Sequence, residues 1–150
     1  MKPTWLPTPG SVPAGFETER LRVRPLTIHD VVKDYDAVMS SRADLVGLFP
    51  GSDWPRDDLT LEQDLIDLAW HQKEFQIGSS YTYTVVSLDE ARVLGCIYLF
   101  PPSDPENQAD VTFWVRSDLL SSDLKAHLDE NLRTWLGKRW GFERLRMCSR

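Results

Sequence analysis

The rhythm of apolar and polar residues changes several times along the chain, and each rhythm predicts an element. In Glu19–Leu26, ERLRVRPL, Leu21, Val23 and Pro25 alternate with Arg20, Arg22 and Arg24, the period-two pattern of a strand with one dry face. The period then lengthens. Thr27 is placed to cap a helix with Asp30 in the reciprocal position, and Val31, Tyr35, Val38 and Met39 fall on one side of it. A loop with Phe49, Pro50, Gly51, Trp54 and Pro55 leads to a second capping box, Thr60 with Gln63. Beyond it Leu61, Leu65, Leu68 and Ala69 predict a helix to about Phe75. Trp54 and Trp70 are either core anchors or the walls of a groove.

The second half is richer in strand signals. Ser80–Ser87, SYTYTVVS, and Val93–Phe100, VLGCIYLF, flank the polar turn LDEAR and predict an antiparallel hairpin. Both faces of the second run are apolar, so that strand is expected at the centre of a sheet with helices on either side, Gly95 allowing a bulge or a close backbone approach. After the loop PPSDPENQ, Ala109–Arg116 alternates Val111, Phe113 and Val115 against Thr112, Trp114 and Arg116. It feeds a long helix capped by Ser121 or Ser122 and running to about Trp140, with Leu124, Leu128, Leu132, Trp135 and Leu136 in one stripe and Gly141 as its stop. Phe142–Ser149 returns as an edge or near-edge strand. The expected fold class is mixed α/β (α+β): about five strands, mainly antiparallel, flanked by three helices, in one domain over residues 16–150. The proline-rich arm 1–15 cannot form a regular helix, and its Trp5 and Leu6 either dock or stay free.

Composition narrows the function classes. A formal charge of -6 argues against general nucleic-acid binding, which needs a basic surface to displace counterions. Asp57, Asp58, Glu62, Asp64 and Asp67 crowd the middle, whereas Arg133, Lys138, Arg139, Arg144, Arg146 and Arg150 make the end basic. Cys96 and Cys148 are too few for a disulfide scaffold, and no membrane-length apolar run or secretory leader is visible, so a cytoplasmic protein without membrane association is expected.

Candidate chemistry is sparse. There is no Walker loop, dinucleotide fingerprint, HExxH or paired-cysteine motif, and His29, His71 and His127 are far apart, so no metal is expected. Neither cysteine lies in a nucleophile elbow, and His71 is either a neutral-pH base or a helix-contact histidine. Asp110, entering the fourth predicted strand, is a general-base candidate if a cleft opens beside it; the plain alternative is a solvated strand-entry residue. Tyr81, Tyr83 and Tyr98 would line the same cleft, one of them, with Tyr98 the choice, as an acid for a departing thiolate, or they belong to the core.

The opening RLRVRPLTIHD, the hairpin SYTYTVVS/RVLGCIYLF, the strand ADVTFWVR and the helix from SSDLKAHL resemble, in that order, the Gcn5-related N-acetyltransferase superfamily over residues 16–149. The resemblance implies that acetyl-CoA enters a splay between the fourth and fifth predicted strands. Pantetheine contacts would fall on the backbone of Trp114, Val115 and Arg116, and the pyrophosphate on Ser117, Leu120, Ser121 and Ser122. The glycine-rich pyrophosphate pattern of that superfamily is replaced here by RSDLLSS, where Asp118 and Asp123 would repel phosphate. The superfamily's last helix and closing strand pair are not seen either. Acetyl transfer to the amine of a small molecule or peptide is the function implied. The competing expectation is a non-catalytic binding or assembly module, and a homodimer that covers the last strand's edge is the expected assembly.

Overall fold

The computed structural model describes residues 12–150, so Trp5 and Leu6 of the arm lie outside the described residues. Six strands form one sheet in simple sequence order: β1 (Phe16–Glu17), β2 (Arg22–Pro25), β3 (Tyr81–Val86), β4 (Val93–Phe100), β5 (Ala109–Val115) and β6 (Leu145–Ser149). All neighbours are antiparallel except β5 and β6, which run parallel with Ala109 opposite Leu145 and Phe113 opposite Ser149. A parallel pair needs a crossover, and helix α4 (Leu124–Lys138) supplies it. The remaining helices, α1 (Val31–Ser40), the single turn α2 (Arg42–Leu45) and α3 (Leu61–Ile77), come between β2 and β3.

The alternation of β4 and β5 sorts the core into two layers. Ile97, Leu99, Val111, Phe113 and Val115 face the α4 stripe of Leu124, Leu128, Leu132, Trp135 and Leu136. Cys96, Tyr98 and Trp114 face the other way, against Ala37 and Val38 of α1 and Leu68 of α3. Both layers are dry because β4 is central, as its two apolar faces predict.

Both capping boxes form. Thr27 pairs reciprocally with Asp30, which opens a 3-10 turn ahead of α1, and Thr60 with Gln63. The arginines of the first strand also find their use. Arg24 forks onto Asp30 at 2.7 and 3.1 Å and reaches Glu90, which Arg22 holds as well. These two guanidiniums, Arg24 foremost, pull the Glu90 carboxyl down to about 2.

Five expectations need correction. The sheet has six strands because a two-residue β1 is too short to show alternation, yet it pairs Phe16 with Val23. The first predicted strand begins only at Arg22, since Thr18 Oγ1 accepts the amides of Arg20 and Leu21 and folds residues 18–21 into a turn. There are four helices, α2 being a single turn without its own apolar stripe. Helix α4 starts after Asp123, with Ser122 Oγ accepting the Leu124 amide, and the last strand starts at Leu145 because Gly141, at a φ of 77°, turns Phe142 into the core.

Candidate functional site

Residues proposed from the sequence lie on two opposite faces of the sheet. Asp110, Thr112 and Trp114 point to the α1 and α3 side, together with Tyr98 and Phe100, which stand opposite Thr112 and Asp110 in the β4–β5 register. On that side a cavity of about 180 Å³ is lined by Phe49, Phe100, Asp110, Thr112, Arg146 and Cys148. Asp110 Oδ2 accepts the Ser103 amide at 3.1 Å, while Oδ1 is buried with no hydrogen-bond partner. A half-buried carboxylate with one free oxygen in a concave site is able to take a proton from a neighbouring group.

Tyr98 is 5% exposed, and its hydroxyl accepts Trp114 Nε1–H at 3.1 Å. Burial, with the charges of Cys96 and Asp34 adding to it, pushes the phenol well above its ordinary value, so it keeps its proton. Tyr81 and Tyr83 point instead into the α4 layer, where Tyr83 Oη donates to the Pro13 carbonyl. Cys96 is buried and its thiol is raised by desolvation, which makes it unreactive.

A second cavity of about 280 Å³ adjoins the first, sharing Phe49 and Phe100 as walls. It collects Asp34 from α1 and Asp64, Asp67, Trp70 and His71 from α3, with Trp54 and Tyr98. Burial first, then the neighbouring Asp64, raises the Asp34 carboxyl well above the usual range, and burial raises Asp64 to about 6. Burial also lowers His71 to about 4, leaving a neutral ring whose Nδ1 lies 3.2 Å from Thr82 Oγ1. No sequence pattern connects Asp34 with Asp64; the pair exists only because α1 and α3 pack side by side. The acidic run on α3 was the only available signal, and it does not distinguish Asp64 from its exposed neighbours.

The residues assigned to an acyl donor lie along the β5–β6 seam and the loop after it. The Trp114 ring is fully buried on the α1 side, away from the seam's α4 face. Val115 donates its amide to the Arg150 carbonyl at 3.2 Å, and Arg150 donates to Phe113 O at 3.1 Å, so the strands stay paired to the end of β6 rather than splaying. The Arg116 amide goes to Leu94 O, and its guanidinium, 6% exposed, holds Asp36 Oδ2 at 3.1 Å, Ser40 Oγ at 3.2 Å and Val93 O at 3.4 Å.

In the following loop Ser117 donates to Ser41 Oγ, Leu119 to Arg116 O, Leu120 to Ser117 O and Ser122 to Leu119 O. These four amides are satisfied within the fold and form no open anion nest. Asp118 and Asp123 are themselves paired. Partial burial opposes it, but Arg92 holds Asp118 below the usual carboxylate range, and Arg20 does so for Asp123. On the α4 face an open groove of about 500 Å³ is bordered by Phe113, Ser149, Ser122, Lys125, Asp129 and Arg133. Lys125, the second residue of α4, is its unpaired cation among the described residues, because Arg133 is bonded to Asp129.

Among the described residues there is no cluster of three metal-ligating side chains, and no helix is long and apolar enough to cross a membrane. No family profile and no curated protein sequence matches the chain. Solved structures do. The ribosomal-protein-S5-alanine acetyltransferase of Vibrio fischeri superposes with a TM-score of 0.68 at 17% identity, over 87% of this chain and 71% of that one. RimL, a ribosomal L7/L12 α-N-protein acetyltransferase in complex with coenzyme A, gives 0.69 at 17% identity, over 87% and 72%. The microcin C7 self-immunity acetyltransferase MccE, bound to acetyl-CoA and AMP, gives 0.71 at 11% identity, over 91% and 73%. The fold is that of the Gcn5-related acetyltransferases.

Proposed function

We propose that the chain is an N-acetyltransferase that moves an acetyl group from acetyl-CoA to the amine of a small molecule or peptide. The observation that carries this reading is the shared fold, two of whose representatives hold coenzyme A or acetyl-CoA, combined with an open groove beside β5, β6 and the start of α4. In this reading the donor lies in that groove. The Lys125 side chain and the backbone amides of Lys125 and Ala126 meet its phosphates, since the amides of Ser117, Leu120, Ser122 and Leu124 are used internally. The α4 groove is open to solvent and offers the phosphates of such a donor few hydrogen-bond donors.

The two faces must communicate for acetyl transfer. Asp110 and Tyr98 lie on the α1 and α3 side, the groove on the α4 side, and the sheet between them is closed as far as Arg150. Separation of β6 from β5 beyond Phe113 would open a passage and release the Val115 amide to orient the acyl carbonyl, with the backbone of Trp114 and Arg116 alongside it. Asp110 Oδ1 then accepts the proton that the attacking amine loses, and Tyr98 keeps its own proton as a candidate acid toward the leaving thiolate.

The closed seam also supports a second reading, a binding or assembly module with this fold and no productive donor site. Calorimetry with acetyl-CoA separates the two. Micromolar binding, followed by thiol release with an amine acceptor that falls about 100-fold in Asp110→Asn, is expected for the enzyme. No saturable binding at millimolar acetyl-CoA would leave the module. The homodimer belongs to either reading, because β6 is an outer strand of the sheet.

A further inference from the structure

We propose that the outer face of α3 is an interface for a second copy of this chain, the two helices lying antiparallel across a two-fold axis. Among the described residues nine large apolar side chains are exposed, and five of them stand on this one helix: Leu61, Leu65, Ile66, Trp70 and Ile77. A helix on the surface of a monomer normally turns charged residues outward. Here the side away from the buried Asp64 and Leu68 carries an apolar stripe.

That stripe is complementary to itself. At 3.6 residues per turn, the exposed Glu62, Ile66, Ala69 and Lys73 fall within one arc of about 60°, with Leu65 on one flank and Trp70 on the other. Their spacing, i, i+4, i+7 and i+11, is that of a coiled-coil seam. Laid antiparallel about an axis between Asp67 and Leu68, Ile66 of one copy meets Ala69 of the other, Leu65 meets Trp70, and Glu62 meets Lys73 at each end. Both charges are free for that pairing, since among the described residues neither Glu62 nor Lys73 forms an ion pair. An axis near the middle of α3 lets about four turns of helix overlap.

The area is sufficient as well. With exposures of 39% to 65%, five side chains of about 200 Å² each leave roughly 500 Å² of apolar surface per copy, at the upper end of what a monomer shows. Pairing removes about 1,000 Å² in total, the least that a specific interface needs. The surface is distinct from the outer edge of β6, because α3 lies over β3, where His71 meets Thr82, three strands away. It is also independent of whether the chain binds acetyl-CoA.

Sedimentation velocity of the full chain, from low to high micromolar concentration, tests the assignment. A reversible monomer–dimer equilibrium is expected, and Ile66→Asp should weaken it at least tenfold. Glu62→Lys and Lys73→Glu should each weaken it several-fold by setting like charges opposite one another, and the two changes combined should restore the parent's association. All three positions are exposed, so every variant should keep the native circular dichroism spectrum. A parent that stays monomeric at high micromolar concentration would overturn the proposal and give the stripe to a different protein. A dimer that survives Ile66→Asp would overturn it by placing the interface elsewhere, at the edge of β6 for example. Failure of the combined charge exchange to restore association would refute the antiparallel register.

Discussion

Gly95 occupies the one point in β4 where a side chain has no room. A Cβ built there would lie 2.1 Å from the Trp114 carbonyl oxygen and 3.3 Å from Val115 Cα, both backbone atoms that cannot rotate aside. Opposite it, the β3–β4 register shifts between Val85 and Val86, so the strand end is adjusted on both sides. Gly95→Ala must therefore push β5 away just where Arg116 N–H bonds Leu94 O. Its expected cost is about 2–4 kcal/mol in urea denaturation; a loss below about 0.5 kcal/mol would mean that the close approach is not maintained. The glycine and its flanking apolar run were legible in the sequence, and close backbone approach was one of the two uses it suggested. Which backbone it approaches was not.

At the scale of elements, Arg116 ties the end of β5 to α1. Its guanidinium reaches Asp36 and Ser40 on α1 and the Val93 carbonyl on β4, while the neighbouring Ser117 amide bonds Ser41 Oγ. Arg116→Ala would leave the Val93 carbonyl short of a buried donor and remove a packed side chain, while Asp36 and Ser40 on α1 turn to solvent, and a loss of about 1–3 kcal/mol is expected. Arg116→Lys, with one charged head in place of a planar fork, should recover less than half of it. Thermal unfolding of the two variants checks this. In the sequence Arg116 was an alternating polar position at a strand end, and the superfamily resemblance drew attention to its backbone. That its side chain is an interior strut follows from α1 packing above β5, which no local pattern encodes.

For the molecule as a whole, the α1–α3 cavity makes stability depend on pH in two opposing ways. Asp64, raised by burial to about 6, holds a proton in the folded state that the unfolded chain gives up above about 4, so its contribution falls as pH rises through that window. Asp34 acts in the same direction. His71, lowered to about 4, refuses a proton that the unfolded chain takes up below about 6.5, so its contribution falls as pH drops. The slopes offset one another. Asp64→Asn should therefore lose stability more steeply than the parent between pH 7 and pH 4, by on the order of 2 kcal/mol. His71→Gln should instead gain stability over the same interval. Unfolding curves at several pH values test both, and identical profiles for the two variants would contradict the cavity's electrostatics.

The sequence by itself determined the order of strands and helices, both capping boxes, the central place of β4 and the α4 stripe. These depend on residue periodicity and on side chains that bond to backbone within three positions. Only the tertiary structure decided that β6 stays paired with β5 to Arg150, that Asp110 and the α4 groove lie on opposite faces, and that Asp34 and Asp64 meet. Those facts arise from elements distant in sequence coming into contact, where burial and pairing, rather than local preference, set the chemistry of each group.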